Sequence, residues 1–292
     1  MSALRRPQTI LGLAIIAAFV LAALLAGVIS PYDAHEKVGD VFEHPSTSHL
    51  LGTDDGGFDV VSQLLAGARV SLEVGFLAAL VATVIGGSVG VVAGYFGGRT
   101  DGILMRITDY FLAIPDVPLM IVFAALFGRS LRNVILIIAL IYWTSTARLV
   151  RAQVKSLRER VYVRRAESLG SGNVRIIGRH IVPHVMPLII ANAVLMIATA
   201  VFAETYITFL GLGDPSLLSW GRLIRNTIDA QAVLNGAWWA IVPPGLCVTV
   251  VVLACTLVGQ SIEETLNPRL RSGHLSVRRF RVRPPRSVVT GD

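Results

Sequence analysis

The chain has 292 residues, of which 53% are hydrophobic and only 15% charged, and its mean hydropathy is +0.66. A soluble domain carries about 25% charged residues, so the composition excludes an ordinary soluble globular protein. The formal charge of +7 would suit nucleic acid only if the basic residues clustered on one soluble face, and they are instead sorted between hydrophobic runs.

Uncharged runs cover 7–32, 74–98, 180–203 and 230–262. Each supplies the roughly 20 apolar residues that a helix needs to cross a bilayer. Two weaker spans lie between them. One, 110–127, contains Asp116; the other, 133–147, is bracketed by Arg132 and Arg148, which can snorkel to the two interfaces. An all-α polytopic membrane protein with six transmembrane helices is predicted. The runs are too long and too uniformly apolar for the alternating strands of a barrel.

The first span follows Arg5 and Arg6 and is much longer than the roughly 7–15 apolar residues of a secretory signal, so 1–29 reads as a tail and a retained membrane helix. Segment 30–71 comes next, with Asp33, Glu36, Asp40, Glu43, Asp54, Asp55 and Asp59. At its end Val60, Val61, Leu64 and Ala68 share a helical face behind Asp59 as N-cap, which predicts a short amphipathic helix on the membrane surface. The spacing of His35, His44 and His49 matches no metal-ligand pattern, and they read as residues of a solvated loop. The second span repeats small residues at Gly86, Gly90 and Gly94, a spacing that brings helix backbones together in lipid.

The stretch AIPDVPLM (113–120) puts Pro115 and Pro118 into the third span, where they should disturb the helix near one end. Asp116 beside them is a candidate functional group at membrane depth or an interface residue. In the fifth span Asn192, Thr199 and Glu204 are further polar candidates. Glu204 lies about 140° round the helix from Thr199, so the three form no single stripe. Cys247 and Cys255 in the last span are about 12 Å apart along a helix, too far for a disulfide. Trp220, Trp238 and Trp239 suit a membrane interface.

Between the fourth and fifth spans lies 151–183, with the sequence SLGSGNVRIIGRHIVP from Ser168 to Pro183. A helix through Leu169 should end at Gly170, in the left-handed conformation of a C′ residue. Ser171 or Asn173 can cap a second short helix, and Pro183 and Pro187 mark its junction with the fifth span. Val174, Ile176 and Ile177 are the expected apolar anchors for a protein partner. The basic residues sort by side. With the N-terminus placed in the cytoplasm, twenty Lys and Arg fall inside and six outside, nine of the inside set between Arg148 and Arg179 and seven from Arg269 on. The positive-inside rule accounts for this asymmetry. It places 151–183 and both termini in the cytoplasm and 30–71 outside. The tail, 266–292, is basic and suited to anionic lipid. There is no GxxxxGK[ST] phosphate loop, no HExxH and no GxSxG, so neither ATP hydrolysis nor protease chemistry is expected of this chain.

Segment 164–183 resembles the EAA loop of binding-protein-dependent ABC importer permeases, roughly E-A-A-x3-G-x9-I-x-L-P. Ala166, Gly170 and Pro183 fall in register, Val182 stands in the leucine place and His180 in the isoleucine place, while Arg164 and Arg165 replace the first E and A. HLLGTDDGGFDVVSQLLAGARVSL (49–72), VAGYFGG (92–98), ARLVRAQVKSLRER (147–160), TFLGLGDPSLLSWG (208–221) and LNPRLR (266–271) likewise resemble segments of the C-type permeases of dipeptide and oligopeptide importers. Phe58 stands where an arginine is usual. The resemblance covers nearly the whole chain up to Arg271. It implies a type I importer permease fold, with a core of five helices over 72–265 after the first span. It further implies a second homologous permease subunit, two cytoplasmic ATPase subunits that bind ATP and Mg, an extracytoplasmic solute-binding protein, and peptide as cargo, in the bacterial plasma membrane. No cofactor, metal or nucleic acid is expected of this chain. The coupling residues it implies are Ala166, Gly170, Ser171, Asn173, Val174, Ile177, His180 and Pro183. Competing readings are a permease for nickel or another small solute, a proton-coupled transporter using Asp116 and Glu204, and a structural membrane scaffold. No internal repeat of the kind common in secondary transporters is visible.

Overall fold

The computed structural model describes residues 6–266. Among them the secondary structure is helical, apart from two isolated β-bridges in the segment before the second span. The tail and most of LNPRLR lie outside the described residues, as does Arg5.

Helix α1 (Pro7–Leu24) opens with proline, whose missing N–H costs nothing in a first turn, and a short α2 (Ala26–Ile29) follows. Helix α3 (Val60–Phe96) runs 37 residues without a break, about 55 Å at 1.5 Å per residue. The expected surface helix is therefore not separate: VVSQLLAGAR is the first part of the second span. The physical reason is local. Asp59 caps the helix, accepting from Ser62 N at 2.9 Å, and no proline interrupts the run before Phe96. Val60 and Ala68 are buried on neighbouring elements rather than turned to a membrane surface.

The third span is a bent pair. Helices α4 (Gly98–Ala113) and α5 (Asp116–Phe127) meet at 94°. Pro115 is the N-cap of α5 in extended backbone, so the proline ends one helix and starts another, where one disturbed helix over 110–127 was expected. Helix α6 (Leu131–Arg158) is nearly twice the length of its predicted apolar span. It is the main partner of α3: a Cβ added at Gly90 would come within 2.6 Å of the Ala147 carbonyl, and one at Gly94 within 2.7 Å of Val154. The small-residue repeat thus serves packing inside this chain.

Two short helices, α7 (Val161–Ser168) and α8 (Asn173–Ile176), form the hairpin between the fourth and fifth spans. A π-turn (Ile177–Ile181) then leads directly into α9 (Val182–Phe209). The expected break at Pro183 and Pro187 is absent. Pro183 falls in the first turn of α9, and the wider π-turn spaces the preceding carbonyls around its ring. Helix α10 (Trp220–Asp229) crosses the opposite end, and α11 (Trp238–Leu266) closes the bundle against α9 and α1. Thr9 bonds Ser261 at 2.5 Å and Arg6 pairs with Glu264 at 2.6 Å, fastening α1 to α11. Among the described residues, five helices are long and apolar enough to cross a membrane, or six spans when α4 and α5 count as one. Large apolar side chains such as Leu21, Leu80, Val84, Leu126 and Leu253 face outward, as lipid-facing surfaces require.

Segment 30–59 is not a plain solvated loop. His49, Thr53, Asp54 and Asp59 are buried. His49 Nδ1 lies 3.1 Å from Asp59, and the Trp239 indole donates to the Thr53 carbonyl at 3.1 Å. The His44 ring lies tilted against Trp239 at 4.6 Å between centroids, while His35 is exposed. Burial pushes the Asp54 carboxyl above its ordinary pKa, against the backbone N–H bonds from Phe58 and Gly56 that favour its charged form.

Candidate functional site: an exposed helical hairpin on a buried foot

The hairpin is built from a glycine turn. Helix α7 ends in a Schellman motif: Ser171 N donates to Ala166 O at 3.0 Å and Gly170 N to Glu167 O at 2.9 Å. Gly170 has φ +78°, the left-handed conformation that this motif places at C′. Ala166 and Gly170 therefore have one geometric task between them. The second helix differs from expectation. Its N-cap is Gly172, and no side chain caps it. Asn173 instead accepts a bond from the Tyr95 hydroxyl at 3.1 Å, tying α8 to the end of α3. Ser171 contributes through its backbone N–H.

The two faces of the hairpin are chemically opposite. Val163, Ile176 and Ile181 are fully buried against Val91, Tyr95, Val150, Val154 and Leu157. Ile176 is thus no anchor for a partner: it holds the hairpin to α3 and α6, and Ile177 packs beside it. At the tip, Leu169 is 85% and Val174 86% exposed. Val161 and Tyr162 are also exposed, and Tyr162 stacks on His184 at 5.5 Å with His180 at 6.1 Å. Arg160, Arg164, Arg165, Arg175 and Arg179 are all exposed around the tip, Arg164 paired with Glu159. An apolar tip ringed by guanidinium groups is suited to a groove that is apolar at its floor and acidic at its rim.

The polar residues of the spans do not converge. Asp116 is exposed in the first turn of α5. Asn192 donates to Thr146 at 2.8 Å, joining α9 to α6. Thr199 is exposed and bonds only back to Leu195 O at 3.3 Å. Glu204 is 1% exposed. Its Oε2 accepts from Ser71 at 2.9 Å, and Ser71 in turn accepts from Trp220 N at 3.1 Å. Alongside, the Ser219 hydroxyl donates to the Thr208 hydroxyl at 3.3 Å. The clasp joins α3, α9 and the start of α10, so Glu204 and Asn192 face neighbouring helices, while Thr199 faces outward and the exposed Asp116 lies beside Tyr142 of α6.

The sequence pointed to the turn and to Val174 at the tip, but not to Leu169. Leu169 stands directly before the helix-ending glycine, and its place in SLGSG was the available signal. Ser71 was invisible, because its partner lies 133 positions away.

Residues 86–272 match the model of the binding-protein-dependent transport system inner membrane component. The chain belongs to that family and is a multi-pass, all-α permease of its fold. It is 36% identical over 265 residues to a dipeptide transport system permease protein of Alkalihalophilus pseudofirmus, covering 90% of this chain and 86% of that protein. It is 34% identical to an oligopeptide transport system permease protein of Bacillus subtilis, over 89% of this chain and 85% of that one. A glutathione transport system permease protein of Pectobacterium atrosepticum is 33% identical over 86% and 83%.

Proposed function

We propose that this chain is one of two homologous permease subunits of an ATP-driven importer for dipeptides and oligopeptides, coupled to ATPase subunits through 151–183. The observation that carries the coupling role is the hairpin: rigid, anchored by a buried foot, yet ending in Leu169 and Val174 at 85% and 86% exposure. A connector would have no reason to leave such side chains in water. Burying both on a partner would contribute about 3–5 kcal/mol.

In this reading ATP and Mg are bound by the partner subunits, and a solute-binding protein delivers the peptide on the other side. The basic hairpin and both termini lie in the cytoplasm, and 30–59 lies outside. Ala166, Gly170, Ser171 and Asn173 shape the hairpin. Val174 and Leu169 dock, and Ile177, His180 and Pro183 carry movement through the π-turn into α9. Of the expected segments 1–29, 30–71, 72–265 and 266–292, the first is then the anchor and the last the basic tail, while 30–59 forms the outer cap and 60–71 joins the permease core as the start of α3. Peptide is the favoured cargo because the relatives above are named for dipeptide, oligopeptide and glutathione transport, and nothing in the chain favours nickel or proton coupling over it.

The test is uptake of a radiolabelled dipeptide by cells in which this chain is the only permease of its type. Uptake should vanish with deletion of the chain or of the ATPase and survive a protonophore while ATP is maintained. Uptake that follows the proton gradient would overturn the reading.

A further inference from the structure

At the end of the bundle opposite the hairpin, a cavity of about 230 Å³ is lined by Arg129, Arg222, Arg225, Thr208, Asp214 and backbone at Gly211 and Gly213. We propose that this cavity binds the terminal carboxylate of a short peptide.

Its charge is the first reason. Three guanidinium groups face one lining carboxylate, and that carboxylate is already engaged. Asp214 accepts from Ser216 N at 2.9 Å, Ser216 Oγ at 2.6 Å and Leu131 N at 3.3 Å. These bonds hold its pKa below the ordinary value, the Ser216 hydroxyl contributing most. It therefore stays charged and offsets part of the arginines' charge, that of Arg222 in particular, so the lining keeps an excess of guanidinium over carboxylate. Neither Arg129 nor Arg222 makes an ion pair with an acid among the described residues. Arg225 meets Asp229 through Nε alone, at 3.2 Å.

Preorganisation is the second reason. Arg222 Nη1 donates to the Pro215 and Leu217 carbonyls, so its guanidinium is fixed. The Arg225 guanidinium lies against the Cβ-less face of Gly211, where any side chain would collide with it. Gly211 has φ +77°. The planar guanidinium forks of Arg222 and Arg225, held in place, suit a carboxylate, and these two side chains have little freedom left to lose on binding.

Location decides between a small ligand and a protein surface. The site is a concavity, not a face. It shares Thr208 and Asp214 with a narrow recess that reaches Glu204 inside the span of α9. It thus sits at the mouth of the bundle, not on the outlying 30–59 segment. Every peptide with a free C-terminus carries a carboxylate, so such a site would accept many sequences. This inference rests on the proposed peptide cargo and outward orientation.

The experiment uses the purified importer with all its permease and ATPase subunits in nanodiscs, without the binding protein. Equilibrium binding of radiolabelled trialanine is compared with that of trialanine amide. The acid should bind roughly tenfold tighter, as loss of one charge-assisted interaction implies. Arg129→Gln removes an exposed side chain with no bond to the fold, and it should erase most of that difference while subunit assembly and basal ATPase activity persist. Arg225→Gln is the second variant and should act in the same direction. Equal binding of acid and amide, no measurable binding, or an unchanged preference in both variants would overturn the proposal. So would an Arg129→Gln variant whose only defect is weaker docking of the binding protein. A failure of the peptide-import reading would be seen separately, as dipeptide uptake independent of this chain.

Discussion

The two ends of this molecule are built on opposite plans. At one end, Glu204, Ser71, Ser219, Thr208 and Trp220 close a buried hydrogen-bond network across three helices, and 30–59 adds a second layer through Asp59, His49 and Trp239. At the other end the hairpin buries one face and leaves Leu169 and Val174 almost wholly in water. The sealed end pairs most of its polar groups internally, although Glu204 Oε1 is buried without a hydrogen-bond partner. An open end with apolar tips is stable alone only at the expense of exposed hydrophobic surface, and it gains by docking. The proposed coupling role fits the open end, and structural integrity the closed one.

The largest expected effect separates these two tasks. Leu169→Asp combined with Val174→Asp changes only exposed positions, so thermal stability of the isolated chain should move little. ATPase affinity should fall by about a hundredfold or more, since two apolar anchors are lost; co-purification measures it. Unchanged affinity would remove the tip from the interface.

Glu204→Ala is the mirror experiment at the closed end. It strands the Ser71 hydroxyl and opens a cavity, a loss of about 2–4 kcal/mol, read as a lower unfolding temperature. Glu204→Gln keeps a side-chain oxygen for Ser71 and should retain most of the stability. If Glu204→Ala transported poorly at full stability, Glu204 would instead belong to the pathway.

Gly170→Val is intermediate. Nothing lies within 4 Å of a Cβ there, so the substitution meets only the φ of +78° and should cost about 1–2 kcal/mol, confined to the hairpin. Uptake should fall while the bundle stays intact; normal uptake would mean that the turn need not hold its shape. Asp59→Ala removes the N-cap of α3 and the partner of His49, and it should cost about 1 kcal/mol, seen as faster amide exchange at Val60–Gln63 with transport nearly normal.

The smallest effect is on pH. The Asp214 carboxyl is held below its ordinary pKa by Ser216 and Leu131. Its stabilisation of loop 210–219 is therefore complete above the unfolded pKa and is lost as pH falls through the folded one. Amide exchange at Ser216 should accelerate on acidification below the ordinary carboxylate range, and Asp214→Asn should abolish that change.

What the sequence made legible follows the same division. Patterns that live within a few residues were readable: the apolar runs, the Asp59 cap, the glycine that ends α7, and the order of short motifs. The charge asymmetry is also a local count. What depended on distant partners was not readable. Asn173 looks like a cap in NVRI, yet its bond is to Tyr95. Ile176 looks like an anchor, yet it is fully buried among α3 and α6 residues. Pro183 looks like a break, yet a π-turn absorbs it. The continuity of α3 was obscured by Arg69 and Glu73, charges that divide the sequence pattern without dividing the helix.

The central claim, that the hairpin is the cytoplasmic docking element for an ATPase, is tested most directly by a single cysteine at Val174, with Cys247 and Cys255 replaced by alanine. A second cysteine variant at the exposed Thr47 marks the other side. An impermeant thiol reagent added to intact cells should label position 47 and spare 174. In inside-out vesicles it should label 174, and added ATPase subunits should abolish that labelling. Labelling of 174 from outside, or labelling in vesicles that ATPase subunits leave unchanged, would contradict the account.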